Sequence, residues 1–138
     1  MENTEISFKN TLSVLNDERN KALSLPGGNM YKTMHLIDLL TKKVLNVMDK
    51  PLEDVVLIGS RVEVELNYGD GSCEILEYTV GVDFSKDDEI SFYSPLGSNL
   101  LGKSVDSIVE YQVGDFYNRA HILSITNEKE KQKLLTNN

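Results

Sequence analysis

At Asp49-Lys50-Pro51 the spacing of apolar residues changes from a helical to a strand period, so the two halves of the chain cannot share one kind of secondary structure. Before that point Phe8, Leu12, Leu15 and Ala22 step by three and four along one stripe, interrupted by Arg19, which predicts a helix over about Glu5 to Ser24. Met34, Ile37, Thr41, Val44 and Met48 form a second stripe, which predicts a helix over about Met30 to Met48. The stripes are mirror images about Gly28, with Phe8 opposite Met48, Leu12 opposite Val44 and Leu15 opposite Thr41. This is the register of an antiparallel helical hairpin, a short coiled coil. Arg19 falls in the seam and is expected to snorkel outward or pair with Asp38. Between the helices Pro26, Gly27, Gly28 and Asn29 reverse the chain and form the expected hairpin tip.

After Pro51 the period is two. Val62, Val64, Leu66 and Tyr68 alternate with Arg61, Glu63, Glu65 and Asn67, as in a strand with one buried face. Gly69-Asp70-Gly71 reads as a hairpin turn into a second strand through Leu76, Tyr78 and Val80. Asp83 to Glu89 is an acidic loop, Ile90 and Phe92 make a short strand, and Val109, Tyr111 and Val113 return as another. Gly114-Asp115 then turns the chain into a last strand ending in Ile122 and Ile125. Between the third and fourth strands lies a short helix with legible ends. Ser94 is its N-cap, Pro95 its first residue, Leu96, Leu100 and Leu101 its inner face, and Gly102 its left-handed terminator. The fold class is therefore α+β: a helical hairpin (1–50), then an antiparallel sheet with one short helix (51–127) and a charged tail (128–138).

Composition restricts the partners. Fourteen basic against twenty-two acidic residues give a formal charge of −8, which disfavours direct binding to a nucleic-acid backbone and points to a protein partner. The single cysteine, Cys73, allows no internal disulfide and fits a reducing cytosol, and it is expected to be a small core residue. No export signal or membrane-spanning run is present, so a cytoplasmic protein is expected. His35 and His121 stand apart from any metal-ligand spacing, and no phosphate-binding glycine loop occurs, so neither metal nor cofactor is expected. Because the hairpin consumes its own seam, a monomer is expected.

The segments DVVLIGSRVEVEL (Asp54 to Leu66) and ISFYSPLGSNLLGK (Ile90 to Lys103) resemble the C-terminal domain of the GreA/GreB transcription elongation factor family, whose members bind bacterial RNA polymerase at its secondary channel. The closest likeness is to the short-armed branch called regulator of nucleoside diphosphate kinase, in which Gly97 likewise follows Ser94-Pro95-Leu96. The resemblance implies an FKBP-like sheet, with Ser94 and Pro95 in the loop that touches the rim of the polymerase channel. Tyr93 replaces the aspartate usual before them, and could offer an apolar contact instead of a charged one. A purely local role for Ser94-Pro95, as a helix cap, remains equally open. Asp106-Ser107 stands where the family usually has Gly-Asp, so that turn is expected to differ.

Cleavage-stimulating members, by the same resemblance, carry carboxylates at the end of a long arm to help hold a magnesium ion and a water. Here residues 24–31 hold no Asp or Glu, and Asp17, Glu18 and Asp38 lie about ten residues back from Gly28, roughly 15 Å along a helix. The expected function is therefore that of a non-enzymatic regulator. A stubby prong projects from a polymerase-docking module, occupies the channel without stimulating cleavage, and competes with cleavage factors. A true cleavage factor acting through Asp17 and Glu18 is the alternative. A peptidyl-prolyl isomerase, suggested by fold analogy alone, would need an aromatic-lined pocket that the alternation of the aromatics does not predict.

Overall fold

The computed structural model describes residues 5–83 and 88–127, so the charged tail and the centre of the acidic loop lie outside the described residues. Helix α1 spans Phe8–Ala22 and starts at Ser7, whose hydroxyl accepts a 3.0 Å hydrogen bond from the Asn10 amide. Helix α2 spans Gly27–Leu45. A 3-10 turn at Leu52–Asp54 leads into strands β1 (Arg61–Asn67), β2 (Cys73–Gly81) and β3 (Glu89–Ser91). Helix α3 (Pro95–Leu100) and strands β4 (Ile108–Val113) and β5 (Phe116–Thr126) complete the fold. The sheet order is β3-β2-β1-β5-β4, antiparallel except that β3 runs parallel to β2. The direction of β3 was not readable from alternation, which is the same for both senses.

Two details of the hairpin differ from the sequence expectation. The chain reverses at residues 23–26, and Gly27 and Gly28 are already the first residues of α2, with Pro26 as its extended N-cap. Gly27 takes φ +54, so the glycine serves a left-handed entry into the helix instead of breaking it. Met48 consequently falls beyond α2 and is exposed, while Thr11 and Leu40, absent from the expected stripes, are fully buried. Arg19 does pair with Asp38, at 2.8 Å.

The second difference is larger. Leu15, Ile37, Leu40 and Val44 belong to one hydrophobic core with Val55, Val56, Leu57, Val62, Val64 and Phe92 of the sheet module, so the hairpin is seated on the module and is not a free-standing prong. Polar contacts trace the seating. The Thr11 hydroxyl accepts from the Ile58 amide at 3.0 Å, and Lys43 Nζ donates to the Ser98 carbonyl of α3 at 2.8 Å. A helix with apolar residues on more than one stripe can serve a seam and a second surface together, and periodicity counts only the stronger of them.

Lys43 carries a pH signature. Burial, helped by nearby Lys103, pushes its ammonium down to about 8. Above about pH 8, and up to the ordinary lysine value of 10.5, the unfolded chain therefore holds a proton that the folded chain has lost, and stability rises with pH. The Tyr93 phenol, pushed upward mainly by burial, acts oppositely once pH passes its ordinary 10.0. Melting temperatures recorded from pH 7 to 10 are expected to climb for the native chain above pH 8, and to stay flat over that interval in Lys43→Met.

Asp106 takes φ +69, the left-handed conformation that glycine adopts freely. The turn differs from the family's in residue type but keeps a backbone geometry suited to glycine, with the Asp106 amide bonded to the Ile122 carbonyl at 2.8 Å. Asp106→Gly is expected to stabilise the fold by up to about 1 kcal/mol in denaturant titration, the left-handed cost for a residue bearing Cβ.

Candidate functional site

The loop from Ser91 to Gly97 is wound tightly on itself. Ser91 Oγ donates to the Val82 carbonyl at 2.5 Å and accepts from the Tyr93 amide at 3.0 Å. Ser94 Oγ donates to the Ser91 carbonyl at 2.6 Å and accepts from the Gly97 amide at 3.0 Å, so its hydroxyl caps α3 and also closes the turn before it. Phe92 is fully buried beneath, with the Tyr93 ring tilted on it at 4.5 Å. The result is a rigid platform. Pro95 and Tyr93 are exposed on it, and Ser94 is half-buried with its polar atoms engaged within the loop. The resemblance did not anticipate that Tyr93 also reaches across to α1, where its hydroxyl donates to Glu18 Oε1 at 2.8 Å.

Glu18 accepts a second bond from Lys21 Nζ at 3.1 Å, and its side chain is only 12% exposed. With α1 ending at Ala22, Glu18 stands four residues from the reversal, roughly 6 Å along the helix. This is closer than the 15 Å expected from placing the tip at Gly28, but the carboxylate is turned inward to the module. Asp17 is exposed, and neither residue occupies the bend itself.

Beside the platform the concave face of the sheet holds an open hollow of about 550 Å³, bounded by Leu66, Tyr78, Leu96, Tyr111, Phe116 and Asn118. The expectation that no aromatic-lined pocket exists is thereby corrected. The residues do alternate, but the sheet is longer than the short helix α3, whose Leu96 covers only part of the inner face and leaves Phe116 at the β4–β5 turn exposed. Phe116 is 60% exposed. The Tyr78 and Tyr111 phenols are pushed above their ordinary value chiefly by burial, so both remain protonated hydrogen-bond donors at neutral pH. Four aromatics of one strand parity, Tyr68, Tyr78, Tyr111 and Phe116, were the available signal for this hollow.

One other expectation is revised. Cys73 is exposed at the start of β2, because its parity puts it on the outer sheet face opposite Asn67. His121 lies on that face too, with Nε2 3.5 Å from Asp106. Among the described residues no group of three His, Cys, Asp or Glu could hold a metal ion, and no helix is long and apolar enough to cross a membrane. Charge is unevenly divided: residues 51–127 carry fourteen Asp and Glu against four Lys and Arg, whereas residues 1–50 are nearly balanced.

Comparison with known proteins assigns this arrangement. The family model described as "Transcription elongation factor, GreA/GreB, C-term" matches residues 50–127. Transcription elongation factor GreA of Alkaliphilus oremlandii is 34% identical over 95 residues, covering 65% of this chain and 57% of that protein, so the chain aligns with a little over half of its relative's length. Among solved structures, a GreA/GreB elongation factor from Nitrosomonas europaea superposes with a TM-score of 0.55 at 21% identity, covering 90% of this chain and 99% of that one. Gfh1 of Thermus aquaticus matches at a TM-score of 0.45 and 17% identity, covering 86% of this chain and 91% of that one. With the module that bears the Ser94-Pro95 platform matched throughout, the chain belongs to the GreA/GreB transcription elongation factor family.

Proposed function

We propose that the protein is an RNA polymerase-binding regulator that docks near the secondary channel, does not stimulate transcript cleavage, and competes with factors that do. Family membership supports the choice of partner, and the observation that carries the rest is at the arm. No carboxylate stands at the reversal, and Glu18, the nearest, is bonded to Tyr93 and Lys21 instead of projecting. A metal ion held by hard oxygen ligands at about 2 Å needs a free carboxylate brought to it. An arm ending in Leu23 to Pro26 brings none.

The docking surface in this reading is the Tyr93-Ser94-Pro95 platform together with the neighbouring hollow. An exposed aromatic and apolar patch on a module rich in acidic residues suits a partner with an apolar centre and a basic rim. Labelled at Cys73, the protein is expected to bind core polymerase and to be displaced by a cleavage factor. Phe116→Ser removes an exposed ring without touching the core and is expected to weaken binding about tenfold, or about 1.4 kcal/mol. Added to a backtracked elongation complex, the protein is expected to release no short 3′ RNA. Brisk release would reject the reading.

Two other readings have a specific observation each. The exposure of Asp17 near the reversal favours a cleavage factor acting through Asp17 and Glu18; release abolished in Asp17→Ala would identify it. The aromatic hollow favours a prolyl isomerase, which a proline-peptide isomerisation assay above background would reveal.

A further inference from the structure

We infer that Tyr93 and Glu18 form a latch that ties the outer half of the arm to the docking platform, so that a partner engaging the platform releases the arm. This rests on the docking role proposed for Tyr93-Ser94-Pro95. The inner half of the hairpin is held by the shared core, through Leu15, Ile37, Leu40 and Val44. The outer half is seated differently. Between it and the platform lies an open hollow of about 350 Å³ lined by Glu18, Lys21, Ala22, Leu25, Thr33 and Tyr93, so at this end the arm borders an open space, whereas the inner half is joined to the shared core. Across that space the Tyr93 hydroxyl donates to Glu18 at 2.8 Å, joining residues 75 apart in sequence. Packing resists displacement of the inner turns, whereas the outer turns reach the platform through the Tyr93–Glu18 bond, a directional bond to a charged acceptor.

The bond sits where a docking partner would reach it. Tyr93 is 36% exposed and adjoins Pro95 on the platform. The module is strongly acidic, so the surface it receives is basic. An arginine or lysine of that surface placed over Tyr93 offers Glu18 a stronger partner than a phenol. The released state binds that surface better, and this differential affinity is what a population shift requires. Arm position and docking become two readings of one equilibrium. A latched free protein also pays for release when it docks, so abolishing the latch tightens binding.

The native Cys73 is exposed on the module and Asn29 is exposed beside the tip, so spin labels on Cys73 and on Asn29→Cys report the distance between module and arm. In the free protein a narrow distance distribution is expected, broadened by Tyr93→Phe and by Glu18→Ala, with the double variant no broader than either. Glu18→Gln, which keeps an acceptor oxygen, is expected to restore much of the narrow distribution, a recovery that a merely steric role would not give. Core polymerase is expected to broaden the native distribution to that of Tyr93→Phe, and Tyr93→Phe to bind polymerase threefold to tenfold more tightly. Unchanged distributions in the single variants, or polymerase binding that leaves the native distribution narrow, would overturn the latch. If polymerase binds no form of the protein, the docking reading falls, and the free-protein distributions decide by themselves whether the latch exists.

Discussion

Gly97→Ala is expected to destabilise the protein by about 3 kcal/mol or more, at the upper end of the cost of overpacking a close contact. A Cβ at position 97 would lie 1.9 Å from the Ser91 carbonyl oxygen and 3.0 Å from Ser94 Oγ. The oxygen is backbone and already accepts from the Ser94 amide and hydroxyl, so it cannot move aside without undoing the turn. Either α3 shifts off the sheet, uncovering Leu96 and Leu100, or the Ser91–Ser94 turn opens and the platform is lost. Urea titration measures the first cost. The second should appear as weaker polymerase binding even at temperatures where the variant remains folded. Position 97 thus requires glycine for a steric reason: nothing larger than hydrogen fits against that carbonyl.

A comparable loss is expected at the other end of the module from Asn127→Asp. Asn127 is nearly fully buried, and its amide donates to the carbonyls of Leu52 at 2.6 Å and Val55 at 2.8 Å, while its oxygen bonds the Ser60 hydroxyl. Ser60 Oγ in turn accepts from the Leu57 amide at 2.7 Å. One side chain thereby fastens the end of β5 to the 3-10 turn and to the buried Val55-Val56-Leu57 segment. Aspartate has the same shape but no donor, and it sets a carboxylate against two carbonyl oxygens. The expected cost at pH 7 is about 3–5 kcal/mol, the range for an uncompensated buried charge. The sign of its pH dependence follows. The folded state raises that carboxyl's pKa, so the deficit is complete above the raised value and shrinks as pH falls through it. Denaturant midpoints of native and variant protein should therefore converge toward acid. A deficit independent of pH would show that lost donors alone, and not a buried charge, set the cost.

These two residues mark different kinds of legibility. Ser94, Pro95 and Gly102 were readable as a cap, a first turn and a terminator because each role depends on the residue's own backbone preference. Gly97 gave no such signal, since the atom that requires it, the Ser91 carbonyl, arrives through tertiary winding of the loop. Asn127 lies two residues beyond the expected end of the last strand at Ile125, and nothing local distinguishes it from a solvated asparagine. The hollow was hidden for a related reason. Strand parity assigns Tyr78, Tyr111 and Phe116 to one face, but whether that face is covered depends on how far α3 extends over it.

By itself the sequence determined the element order, the inner face of each strand and the capped helix α3, all of which follow from the spacing of neighbouring residues along one chain segment. It also determined that the arm carries no acid at its reversal. Only the tertiary structure decided that the hairpin lies on the module, that β3 runs parallel, and that Tyr93 reaches Glu18 across 75 residues. Periodicity records which side of a helix or strand avoids water, and it is silent on which of several apolar surfaces will do the covering.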